Sequence, residues 1–295
     1  MAVTVSCATC HVWVREDFLA LVGEPGDAEE DLLDLAVTER RAGSRLSCQI
    51  VVTEDLDGFV LVHGAWHGGW FWRPVRTHLE AAGHVVSAPT LPGLGPDDDP
   101  TGVTLQDCVD ALVHHIEGQG LQDVVLVAHS WGGIPAGGAA ARLAGRLKHL
   151  IMVSAFVPEV GQSLNDLVPA EFVALFEQLA NETPAHTVLP SLEIFQNMYM
   201  NDVSADEAAL AFSLMQPQPW RTFTDPLTDD MNFHVLDVPK TYVIPRDDHA
   251  LPPDYHWIPR FSDALGGELV QVPGGHEALL TQPAALAEAL TRIAG

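Results

Sequence analysis

The feature that most restricts how this chain folds is residues 124–133, VVLVAHSWGG. Val124, Val125, Leu126, Val127 and Ala128 are apolar and mostly β-branched, which reads as a strand buried on both faces. The run passes directly into His129-Ser130-Trp131-Gly132-Gly133 and then into an Ala-rich segment. That is a strand, a sharp turn and a helix start. A serine at such a turn sits in a strained backbone position, its hydroxyl raised at the end of the sheet beside the unpaired N–H groups of the new helix. Ser130 is therefore a candidate nucleophile. Ala128 occupies the first position of the G-x-S-x-G pattern, a small residue that still allows close packing under the turn.

The surrounding chain repeats the same alternation. Residues 58–64, GFVLVHG, form a buried-strand pattern ending at glycine and leading into Ala65-Trp66-His67-Gly68-Gly69, where glycines free the backbone to aim an N–H into a cavity. A helix over 69–82 and a strand over 84–88 are predicted next, then a loop over 89–100. Thr104 and Asp107 resemble a capping box, after which Leu105, Cys108, Val109, Leu112 and Ile116 fall at helical spacing, which makes Cys108 a core thiol. Beyond the serine turn come a helix over 134–143 and a strand over 149–155. Strands alternating with helices imply a mostly parallel sheet flanked by helices. From about 159 to 238 the alternation lapses into a Phe-, Met- and Pro-rich stretch, read as an inserted helical cap. It resumes with a strand over 240–244, a helix around 255–265, a strand over 268–272 and a closing helix over 283–293. The fold class is α/β, in a domain spanning 58–295.

The charge balance narrows the function. A formal net charge of −26 in 295 residues repels nucleic acid and anionic membrane surfaces. No uninterrupted apolar run reaches the ~18 residues of a membrane span, and the N-terminus lacks a secretory pattern, so the expected location is cytoplasmic. The four cysteines are too few and too unevenly placed for a disulfide framework. A small-molecule substrate is the expected partner, with no cofactor; oligomeric state is left open.

A serine hydroxyl needs a base, and the base an orienting carboxylate. His276, in VPGGHEALL, follows the last predicted strand at the sheet edge where Ser130 also emerges, and is chosen from fourteen histidines. His129, His249 and His256 lie beside rather than beyond a strand end; His63 precedes the glycine-rich turn and helps shape it. The carboxylate is expected after the penultimate strand, where Asp247 and Asp248 are both available and Asp237 falls too early.

Together LVHGAWHGGWFW, AHSWGG and VPGGHEALL resemble the α/β-hydrolase superfamily, most closely its branch of hydroxynitrile lyases, plant methylesterases and related bacterial esterases. The resemblance assigns the acid to Asp248 and implies an oxyanion hole of the backbone N–H groups of Ala65 and Trp131. Lyases of that branch carry a lysine after the histidine and a threonine in the oxyanion turn, where this chain has Glu277 and Ala65. The implied activity is a serine esterase cleaving a small, largely uncharged ester through an acyl-enzyme; lactone, amide or carbamate hydrolysis and cyanohydrin cleavage are the alternatives. Phe156, Phe212, Met215 and Trp220 are expected to line its pocket under the cap.

Residues 1–57 differ in character. SCATCHVWV, the DLLDLAV helix and SRLSCQIVVTEDLDG resemble the C-terminal half of an adrenodoxin-type [2Fe–2S] ferredoxin. Cys7, Cys10 and Cys48 match its second, third and fourth cluster ligands, while the position of the first is Met1. The expectation is a fused or truncated remnant rather than a working redox centre, because a cluster depends on full ligation and a protected surround. An electron-transfer or docking protein is the rival of another class.

Overall fold

A computed structural model describes residues 11–14, 19–34, 39–49 and 58–295. The chain divides between residues 56 and 57 into two compact units. In the first, the strand His11–Trp13 pairs antiparallel with Ser44–Leu46, and the helix Asp27–Leu33 contributes buried Leu33 and Glu29. The Glu29 carboxylate accepts from Arg45 Nε at 2.8 Å and Leu46 N at 2.6 Å. Burial disfavours its charge, but these donors outweigh burial and hold its pKa below the ordinary value. Cys7 and Cys10 lie outside the described residues; Cys48 falls in the single 3₁₀ turn Ser47–Gln49.

The second unit is built on six parallel strands: β1 (Gly58–Val62), β2 (Val85–Ser87), β3 (Val124–His129), β4 (Leu147–Val153), β5 (Lys240–Pro245) and β6 (Glu268–Val272), in spatial order β6-β5-β4-β3-β1-β2. Alternation puts Phe59, Leu61, Val125, Val127, Ile151, Val153 and Val243 on one face, in a single core with helices α1 (Arg73–Ala81) and α8 (Pro283–Ala294). The intervening Val60, Leu126, Leu150 and Met152 are equally buried. Right-handed crossovers put α2 (Leu105–Gly118) and α3 (Gly133–Arg142) on that other face. Thr104 caps α2 through a reciprocal box with Asp107, and Cys108 is buried on its inner stripe. Connections run outward in opposite directions from β1 and β3. Their adjacent C-terminal ends therefore form the crevice where open α/β sheets place their sites.

Two predicted helices are interrupted. The helix expected over 69–82 begins as the 3₁₀ turn Gly69–Trp72 before α1. Around 255–265 only Arg260–Leu265 (α7) is α-helical, after the 3₁₀ turn Pro253–Tyr255, because Pro259 disfavours helical backbone in the residue before it. Between β4 and β5 stand α4 (Ala170–Asn181), α5 (Leu192–Met198), α6 (Ala205–Phe212) and the single turn Arg221–Thr224. This region also carries an antiparallel pair absent from the sequence reading, Thr187–Val188 with Gln218–Pro219.

Candidate active site

Ser130 has φ 53°, a left-handed conformation that an L-residue keeps only where its surroundings enforce it. Two contacts do so. Phe156 N donates to Ser130 O at 3.1 Å. Gly132 is pressed against the end of β1, where a Cβ would stand 2.3 Å from His63 O, so glycine is required. His63 is itself fixed, with Nδ1 2.8 Å from Gly64 O and Nε2 accepting from Leu91 N at 3.0 Å. Burial without a countercharge lowers its pKa to about 4, so it is a neutral brace for the turn.

His276 leaves β6 through Gly274, whose carbonyl accepts from Asp247 N at 3.0 Å. Its Nε2 lies 3.1 Å from Ser130 Oγ and its Nδ1 2.8 Å from Asp248 Oδ2. Asp248 also accepts from Ala250 N at 3.0 Å, whereas Asp247 is exposed. Of the two adjacent aspartates, Asp248 therefore meets the imidazole. His249 and His256 are exposed, and His129 is fully buried with Nε2 3.1 Å from His276 O. Ala65 and Trp131 border the same cavity as Ser130. Trp131 N opens the new helix and so has no acceptor within it. The neighbouring Trp66, at φ 66°, bends the turn that carries Ala65.

A family model described as "Alpha/beta hydrolase family" matches residues 59–289. The chain belongs to this family. The hydrolase is 33% identical over 247 residues to a carbendazim hydrolyzing esterase of Nocardioides sp. (strain SG-4G), covering 80% of this chain and 98% of that one. With methylesterase 4 of Arabidopsis thaliana it shares 32% over 257 residues, 80% of this chain and 95% of the other. Among solved structures, an extracellular α/β-hydrolase from a Paenibacillus species superposes with a TM-score of 0.77 at 30% identity, over 81% of this chain and 99% of that one. These matches concern the hydrolase unit; the ferredoxin-like reading of residues 1–57 has no counterpart in them.

Electrostatics in the hydrolase's site follow from burial. The side chains of Asp248 and His276 are 1% and 2% exposed. Burial alone would strip charge from both. For His276 the Asp248 charge and hydrogen bond override it, and the imidazole's pKa lies above the ordinary value. For Asp248 the same partner, with Ala250 N, overrides burial and keeps the pKa low. The Ser154 hydroxyl lowers it further, although Ser154 Oγ makes no hydrogen bond of normal geometry. Glu277 behaves oppositely: it is fully buried, its Oε2 lies 3.8 Å from His129 Nε2 and that oxygen makes no hydrogen bond, and its pKa rises to about 8, chiefly by burial.

The cavity over Ser130 is walled by Trp66, Phe156, Phe172, Phe176, Tyr199, Phe223 and Trp257, and among the described residues His276 is the one ionisable side chain other than Tyr199 that lines it. Phe156 is where the sequence reading puts it. Phe212, Met215 and Trp220 are not: Phe212 packs against Phe195 at 5.9 Å between ring centroids, Trp220 backs Phe223 at 6.1 Å, and Met215 is buried outside the cavity wall. They fill the cap's own interior. Sequence reasoning also missed Gln218, a buried amide whose Oε1 accepts from Trp66 N at 3.0 Å while Nε2 donates to Thr222 Oγ1 at 2.7 Å. It ties the cap to the Ala65–Trp66 turn across 152 residues, a separation over which no local pattern signals contact.

Proposed function

We propose that the hydrolase is a serine carboxylic ester hydrolase in which Ser130 is the nucleophile, His276 the general base and then acid, and Asp248 the group that holds the imidazole. The observation carrying this reading is the unbroken relay from Asp248 Oδ2 to His276 Nδ1 at 2.8 Å and from His276 Nε2 to Ser130 Oγ at 3.1 Å. Ser130 attacks the carbonyl as His276 takes its proton. The amides of Ala65 and Trp131 receive the developing oxyanion. His276 returns the proton to the departing alcohol; it then takes a proton from water, which attacks the acyl carbonyl, and gives that proton to Ser130 Oγ as the acid leaves.

The substrate reading is an uncharged ester with an apolar or aromatic acyl group, since the aromatic walls offer no partner for a substrate charge. The name of one relative, a methylesterase, favours a small alcohol such as methanol as leaving group. Cyanohydrin cleavage is disfavoured: in place of a lysine beside the histidine stands Glu277, a buried acid that offers a departing cyanide no cation. A panel of methyl and aryl esters, lactones, anilides, carbamates and cyanohydrins, with released cyanide measured, tests this. Turnover of neutral esters above all others is expected, and cyanide release as the dominant activity would overturn it.

For residues 1–57 we infer a ferredoxin-like segment with no part in hydrolysis, on the cysteine spacing and flanking motifs. Iron and sulfide analysis of the purified chain tests it; stoichiometric iron would reverse the expectation that Cys7, Cys10 and Cys48 are vestigial.

A further inference from the structure

The cavity holds about 30 Å³ of free space, against the roughly 300–1,000 Å³ of pockets that take small organic ligands. The cap must therefore move off the sheet to admit an ester and return before chemistry. One side of it is anchored to the oxyanion turn and the nucleophile turn: Gln216 N donates to Trp66 O at 2.8 Å, and Trp131 Nε1 donates to Thr222 O at 3.0 Å. The other side, from α5 to α6, meets the loop that carries His276. There Asp202 Oδ2 accepts from Gly275 N at 3.0 Å and from Thr281 Oγ1 at 3.1 Å, and Tyr199 sets its ring 5.5 Å from the imidazole. Asp202 is exposed, so water competes for these bonds and they open at low cost.

We propose that Asp202 is a positioning residue that couples closure of the cap to the placement of His276; the inference rests on His276 being the base. Its two bonds grip the histidine loop on either side of the base, at residues 275 and 281. Lifting the α5–α6 segment releases both. Lowering it over a bound ester restores them, so the imidazole is seated against Ser130 as the cap shuts out bulk water.

Three variants test this by steady-state kinetics on a neutral aryl ester, with thermal unfolding measured in parallel and Ser130→Ala and His276→Ala as references. Asp202→Ala removes both bonds. Gly275→Ala crowds the grip from the loop side, because its Cβ would stand 3.1 Å from the Asp202 carboxyl carbon and press the carboxylate away from Gly275 N. Asp202→Asn keeps an oxygen acceptor. Asp202→Ala and Gly275→Ala should each lower kcat about ten- to a hundredfold, the range a misplaced catalytic group costs. The double variant should be no slower than the worse single, and Asp202→Asn should recover to within about fivefold of wild type. A wild-type kcat for Asp202→Ala, or losses that multiply in the double variant, overturns the coupling while leaving the site reading intact if both reference variants are inactive. Reference variants at wild-type rate overturn the site reading, and the coupling with it.

Discussion

Replacing Glu277 with glutamine changes one atom at a fully buried position and removes the only proton that the residue exchanges. In the folded hydrolase its pKa is raised from the ordinary 4.5 to about 8 by burial, which the His276 charge only partly offsets. Such an acid contributes most to stability when protonated in both states, below about pH 4.5. Between there and about pH 8 the unfolded chain ionises while the folded one does not, so that contribution is progressively lost. At ~1.36 kcal/mol per tenfold change in proton affinity the full span sets a ceiling of about 5 kcal/mol. Water penetration and relaxation reduce such penalties, so about 2–4 kcal/mol is the expected difference. Glu277→Gln should match wild type near pH 4.5 and be more stable by that amount at pH 8 to 9. Urea unfolding of both proteins at unit intervals from pH 5 to 9 measures it, and the subtraction cancels every other carboxylate. Parallel stability curves would refute the reasoning, as would a wild type that gains on the variant with rising pH.

Three further outcomes follow from the geometry. Because the Asp248 partner lifts the His276 pKa above the ordinary 6.5 despite burial, kcat/KM for a neutral ester should fall as pH drops through a value above 6.5; Asp248→Asn should move that limb downward and lower kcat. An unmoved limb would separate Asp248 from the base. Gly132→Ala drives a Cβ to 2.3 Å from His63 O and should cost about 1–3 kcal/mol with a matching loss of activity, read by thermal unfolding and turnover together; an unaltered variant would show that the turn has room to spare. Phe156→Ala, at the cavity wall, should change KM or the preferred acyl size, while Trp220→Ala should lower stability and leave acyl preference alone; the reverse pattern would put the substrate elsewhere under the cap.

What was legible in the sequence was whatever repeats over a short range. The run from Val124 to Ala128 has no polar residue to place in water, so a doubly covered strand was its main outlet, and a serine directly after it had to sit at the sheet's C-terminal edge. Chain order and strand ends then brought His276 and the Asp247–Asp248 pair to that edge. Which aspartate faces the imidazole is a matter of one peptide's orientation, which pattern does not resolve and the family resemblance assigns to Asp248. The cap was less readable for a different reason. Phe212, Met215 and Trp220 are as apolar as Phe176 and Phe223, and helical spacing does not say whether an apolar face turns toward a substrate or toward its own helices. The strands Thr187–Val188 and Gln218–Pro219 are two residues each, too short for alternation to register. Gln218 acts across 152 residues through one hydrogen bond and Asp202 across 73 and 79 residues through two, and only assembly of the fold reveals them.

The most direct test is turnover of the best neutral ester by Ser130→Ala at pH 8, with folding verified by thermal unfolding. Loss of the nucleophile in a relay of this kind costs ~10⁶-fold where it has been measured, with oxyanion and binding contributions remaining. A fall of at least ~10³-fold in kcat by a folded variant is predicted. A folded Ser130→Ala variant that retains a tenth or more of wild-type turnover would contradict the assignment of Ser130, and with it the mechanism built on the turn at residues 124–133.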